Sequence, residues 1–133
     1  MAEIRYASTM YVPVSEQDAA LAFYVDVLGF ETRVDFEYAD GERWIEVVPP
    51  GAQTSIALTK ATEQTPAGIE TRLAWLTEDV EAAHAAFKAR GVDVDDAILR
   101  PGDPVKHWAG SVLAGTPPMF LLRDPDGNSF LIG

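Results

Sequence analysis

A chain of 133 residues, 47% hydrophobic, is long enough for one well-buried core, and its 21 acidic against 10 basic side chains give it a net charge of −11. That charge repels phosphate backbones and excludes a nucleic-acid partner; it admits a cationic ligand, although solubility alone accounts for it equally well. No cysteine is present, no apolar run approaches membrane-spanning length, and the N-terminal stretch lacks a signal peptide's basic start and apolar run, so disulfides, thiol chemistry and a membrane partner are excluded and a cytoplasmic location is expected.

Residues 8–14 form the first predicted strand, with Met10, Val12 and Val14 on one face. Ser15 is the expected N-cap of a helix whose first turn holds Glu16 and Asp18. Apolar residues then recur at helical spacing as far as Leu28, and Gly29 supplies the stop. Residues 30–38, 43–48 and 54–60 are the next predicted strands, with Asp40-Gly41 as a hairpin turn and Pro49-Pro50-Gly51 as a breaker. Residues 61–68 form a linker.

The pattern then repeats. Residues 72–76 read as a strand, Thr77 as a cap, 78–90 as a helix and Gly91 as its stop. Ser15, Glu16, Ala20 and Gly29 align at a constant offset with Thr77, Glu78, Ala82 and Gly91. Residues 92–99 open a second set of strands, and a long loop covers 100–118. Two apolar runs flank Asp124-Pro125-Asp126-Gly127-Asn128, which reads as a tight turn with Gly127 or Asn128 at positive φ. The fold class expected from this is α+β: one domain over residues 1–133, made of two tandem βαβββ modules at about 4–60 and 69–133.

Alternation along the strands separates two faces. Ile45, Val47, Ile56, Leu58, Leu73, Trp75, Phe120, Leu122, Phe130 and Ile132 make an apolar set suited to lie under the helices. The opposite set is mixed: Thr9, Tyr11, Trp44, Glu46, Ser55, Ala57, Arg72, Ala74, Met119, Leu121 and Leu131. A face carrying Trp, Tyr, Arg and Glu together suggests the wall of a ligand cavity.

Residues 12–24 and 27–31, with Gly41-Glu42-Arg43-Trp44, Pro49-Pro50-Gly51, Ala89-Arg90-Gly91-Val92 and the closing Asp-Pro-Asp-Gly-Asn, resemble the vicinal oxygen chelate superfamily of glyoxalase I, bleomycin resistance proteins and extradiol dioxygenases. The resemblance spans nearly the whole chain. It implies modules whose mixed sheets curl around a ligand cavity with the helices outside, and commonly a homodimer. It also implies that the metalloenzymes' four ligand positions fall here on Thr9, Ala57, Arg72 and Leu131. None is a His or a carboxylate; Ala and Leu offer no donor atom and Arg repels a divalent ion. No metal and no other cofactor is therefore expected.

Trp44 and Trp108 are candidate stacking walls for a flat ligand, with ordinary packing as the alternative, and packing is preferred for Trp75. His107, beside Trp108 in the long loop, is a candidate cavity-mouth residue or a solvated loop His, and His84 is a partly exposed helix residue. Arg72 is either an anchor for a ligand anion or carbonyl, or the partner of Glu46. Asp93-Val94-Asp95-Asp96 reads as solvated surface. No Ser/His/Asp spacing, phosphate-cradling loop or CxxC is present.

The function expected is metal-independent binding of a planar or aromatic small molecule, sequestering a natural product or antibiotic. The thirteen candidate ligand-binding residues are the mixed set together with His107 and Trp108. The alternative is a metal-independent isomerase, cyclase or lyase that uses Glu46 or His107 as a base.

Overall fold

Two four-stranded mixed sheets, neither closed into a barrel, and one small hairpin hold the strands of residues 2–133, the part of the chain described by the computed structural model. The chain divides into two units, Met1–Ala67 and Gly68–Gly133, each an α+β arrangement of one sheet and one main helix.

The first unit runs β1 (Thr9–Val14), α1 (Gln17–Ala22), β2 (Glu31–Ala39), β3 (Glu42–Val48) and β4 (Ser55–Lys60). Its sheet order is β1-β4-β3-β2, with β1 parallel to β4 and the other pairs antiparallel. The helix begins one residue later than the sequence suggests. Glu16, not Ser15, is the N-cap, and its carboxylate accepts from the Asp18 N–H. A π-type turn over Phe23–Val27 continues α1, and Gly29 ends it at φ 82. Gln17 Nε2 donates to the Arg43 and Leu58 carbonyls at 3.0 and 2.9 Å, which ties α1 across β3 and β4. Beneath it Val12, Ile45, Val47, Ile56 and Leu58 are buried, as alternation predicts. Each such side chain contributes about 1.5–3 kcal/mol over its exposed state.

The second unit runs β5 (Glu70–Trp75), α2 (Val80–Ala89), β6 (Asp93–Val94), β7 (Lys106–Trp108), β8 (Ser111–Leu113), β9 (Phe120–Arg123) and β10 (Ser129–Ile132). Its sheet order is β5-β10-β9-β6. Asp79, not Thr77, caps α2 by accepting from the Ala82 N–H at 3.0 Å; the shorter carboxylate reaches the third residue directly. The strand expected over residues 92–99 is paired at β6, through the Asp95 N–H on the Leu121 carbonyl at 3.1 Å, and at a Leu99–Met119 bridge. The expected loop over 100–118 contains the β7–β8 hairpin. Its turn has Ala109 and Gly110 at φ 53 and 76, and Ala in the first of those places is a poor sequence signal for a turn.

The closing turn is held from inside. Asp124 Oδ1 accepts from the Asp126 and Asn128 N–H groups at 3.0 and 2.9 Å, and Asn128 Nδ2 donates to Asp124 Oδ2 at 2.8 Å. Gly127 is the residue at positive φ. Asn128, fully buried, also accepts from the Gly68 and Ile69 N–H groups at 2.9 and 3.0 Å, so one side chain fixes both the turn and the entry to β5. The register sets Arg123 opposite Ser129 and Leu121 opposite Leu131, which places the last two on one face.

Candidate functional site

On the β1–β4 sheet, the face away from α1 carries a polar centre within an aromatic surround. Register places Thr9 beside Ser55, Tyr11 beside Ala57, Ala57 beside Glu46, Val34 beside Glu46 and Phe36 beside Trp44. The Tyr11 and Trp44 rings meet edge-on at 5.3 Å, with Ala57 between their strands, and Phe36 and Tyr38 meet edge-on at 6.4 Å. Tyr11, Phe36 and Tyr38 are 60%, 53% and 58% exposed, far more than a packing role requires.

Glu46 is the hub. Its Oε1 accepts from Arg33 Nη2 and from Ser55 Oγ, each at 2.7 Å, and its Oε2 accepts from Trp44 Nε1 at 2.8 Å. Burial by itself pushes the Glu46 carboxyl up, but the indole, the hydroxyl and the guanidinium together outweigh burial and hold it below the usual carboxylate range. Glu46 is thus a fixed anion, paired with a cation and poorly suited to accept a proton.

The partner of Glu46 is Arg33, a residue that alternation sets on the opposite face. The β2–β3 register slips between Thr32 and Val34, so Arg33 is the extra residue of a bulge and its guanidinium reaches the Glu46 side. Of the two roles open to Arg72, ligand anchor or partner of Glu46, the second is filled by Arg33. Phe36 and Tyr38 were legible as neighbours of Trp44 only once β2 and β3 had been aligned.

Arg72 also sits at a bulge. Ser129 pairs with Glu70 but Leu131 pairs with Ala74, and Arg72 lies between them at φ 65. Simple alternation therefore fails to fix its side. It is exposed, and within the described residues its side chain forms no hydrogen bond or ion pair. A non-glycine residue at that φ is strained by crowding at Cβ. Ala74 is likewise exposed, as is His107 on β7.

Trp108 is placed in a packed interior. It is 6% exposed, clustered with Leu99, Leu113, Met119 and Leu121, with Leu131 against them, and its Nε1 donates to Ser129 Oγ at 2.7 Å. The β7–β8 hairpin thus lies on the face of the β9–β10 pair away from α2 and packs against it. Of the two readings of Trp108, stacking wall or ordinary packing, the buried cluster supports packing.

Asp93-Val94-Asp95-Asp96 is not uniform surface. Asp95 is buried; it accepts from Arg123 Nη2 at 2.8 Å and the Leu121 N–H at 3.1 Å, and pairs with Lys106 at 3.0 Å. Burial raises its pKa, and Arg123, Lys106 and the Leu121 N–H together hold it below the ordinary value. A cleft of about 630 Å³ opens over this network, between Asp93, Asp95, Asp103, Lys106 and Arg123. None of the thirteen expected ligand-binding residues lines it, and Asp93, Asp95, Asp103, Lys106 and Arg123 are already hydrogen-bonded or ion-paired.

The metal that resemblance attaches to the family's enzymes does not fit this chain. Thr9, Ala57, Arg72 and Leu131 supply at most one weak neutral donor, and Arg72 supplies a repelling charge. Among the described residues no group of three or more His, Cys, Asp or Glu side chains is placed to hold an ion. No helix among them is long and apolar enough to cross a membrane.

Known proteins resemble the chain over nearly its whole length. The chain is 31% identical to TnmS3, an antibiotic binding protein from Streptomyces sp. CB03234; the match covers 100% of this chain and 98% of that one, with a TM-score of 0.75. It is 32% identical, again with a TM-score of 0.75, to a member of the glyoxalase/bleomycin resistance protein/dioxygenase superfamily from Sphaerobacter thermophilus DSM 20745, over 97% of this chain and 96% of that one. It is 30% identical to the uncharacterized protein YetH of Bacillus subtilis (strain 168), over 97% of this chain and 98% of YetH. The family model matches residues 5–132, and the chain belongs to the Glyoxalase/Bleomycin resistance protein/Dioxygenase superfamily.

Proposed function

We propose that the protein is a metal-independent binder of small planar or aromatic molecules that sequesters an antibiotic or a related natural product. The observation that supports this best is the exposed ring set of Tyr11, Phe36 and Tyr38 beside Trp44, around the neutralised Arg33–Glu46 pair. Rings of this kind stack on a flat guest, each worth about 0.5–1.5 kcal/mol beyond the area buried. Similarity to TnmS3 favours the same use.

An enzymatic reading is less well supported, because Glu46, its first candidate base, is held ionised by three donors. The proposal includes a cytoplasmic location and, as membership of the superfamily implies, a homodimer. Titration of tryptophan fluorescence with a panel of planar aromatic antibiotics tests the binding function. Saturable quenching supports it, and the absence of quenching by any compound at high micromolar concentration overturns it. Light scattering that returns one chain's mass at micromolar concentration removes the dimer.

A further inference from the structure

Building on that reading, we infer that Arg33 selects the guest: it takes an uncharged molecule or an anion bearing an oxygen acceptor on the rim of its ring system, and it disfavours cations. A guanidinium carries five N–H donors. Three are used, on the Gln53 carbonyl at 2.8 Å, Glu46 Oε1 at 2.7 Å and Ser55 Oγ at 2.8 Å. Two remain without an acceptor among the described residues, on a side chain that is 38% exposed.

The position of these donors is set by Glu46, which binds Arg33 through one oxygen and the Trp44 indole through the other. Donors and indole therefore lie within the span of one fused-ring molecule. A ring stacked on Trp44 or Phe36 can present a carbonyl or phenolate oxygen to the guanidinium. Glu46 cannot offer the same to a cation, because its two oxygens already accept three hydrogen bonds and its charge is balanced by Arg33. The chain's net charge of −11 attracts cations from a distance, yet the Arg33–Glu46 pair is charge-neutral, and the groups it has to spare are the two guanidinium donors.

The test uses two three-ring probes of similar size, acridone, which is neutral with a ring carbonyl, and proflavine, which is a cation without one. Both are titrated by calorimetry into the wild-type chain, Arg33→Gln and Trp44→Ala. The wild type is expected to prefer acridone by about tenfold or more, the scale of one hydrogen bond to a charged donor. Arg33→Gln removes that preference or inverts it, since Glu46 is then an unpaired anion. Trp44→Ala weakens both probes. Equal binding of the two probes to the wild type, or an unchanged ratio in Arg33→Gln, overturns the role of Arg33 and leaves the aromatic face as a binder. Failure of both probes to bind the wild type removes the binding face and this inference with it. If Arg33→Gln does not fold, as judged by circular dichroism, the wild-type ratio decides alone.

Discussion

Arg33 Nη2 donates to Glu46 Oε1 at 2.7 Å across the β2–β3 pair, and this contact converts two charges on an aromatic face into one neutral, rigid unit. Trp44 and Ser55 complete the shell of the carboxylate. The unit fixes the half-buried indole of Trp44 by its N–H, and the Tyr11 ring meets it edge-on.

Trp44 is expected to matter for binding more than for stability. Trp44→Ala should weaken a planar guest by about tenfold or more, because lost stacking adds to lost contact area. Trp44→Phe keeps a ring but drops the bond to Glu46, and should lie between. Affinities from calorimetry, read beside thermal melts, decide this; a variant that melts far below wild type while binding normally reverses the assignment.

Trp108 should behave in the opposite way. Its indole is buried among Leu99, Leu113, Met119 and Leu121, so Trp108→Ala opens a cavity that costs about 3–5 kcal/mol. Trp108→Phe loses chiefly the bond to Ser129 Oγ, about 1 kcal/mol. Urea unfolding of the two variants measures both, and a loss below about 1 kcal/mol for Trp108→Ala contradicts the packing described.

Gly115 and Gly102 offer a matched pair. Both hold positive φ, 76 and 93 respectively, but a Cβ on Gly115 would lie 2.5 Å from the Arg100 carbonyl carbon and 2.7 Å from its oxygen, whereas one on Gly102 meets nothing within 4 Å. Gly102→Ala should cost only the left-handed penalty of about 1–2 kcal/mol, and Gly115→Ala distinctly more, because backbone cannot yield as a side chain does. Equal losses in denaturant titrations would show that the approach to Arg100 is looser than described.

Acid should loosen the second unit through Asp95. Its pKa is depressed in the folded chain, against about 3.9 when unfolded. The stabilisation is therefore complete above about pH 4 and is lost as pH falls through the lower folded value. Asp95→Asn should be less stable than wild type at neutral pH, and the gap should close in acid. Melting curves from about pH 7 to pH 2 test this, and a gap constant over that range refutes it.

Sequence alone determined the two main helices, most of the strands, the helix-facing core of the first sheet and the closing hairpin, because apolar periodicity and turn chemistry are local properties. It also located Tyr11, Trp44, Glu46, Ser55 and Ala57 on one face. The partners of those residues were settled only in the tertiary structure. The bulge at Arg33 shifts the phase of alternation by one residue, two extra residues interrupt β5 around Arg72, and nothing in the sequence marks either place. The fates of Trp108 and Asp95 depended likewise on a hairpin folding back across the sheet and on Lys106 and Arg123 meeting one carboxylate. Such contacts join residues distant in the chain, so only packing selects them.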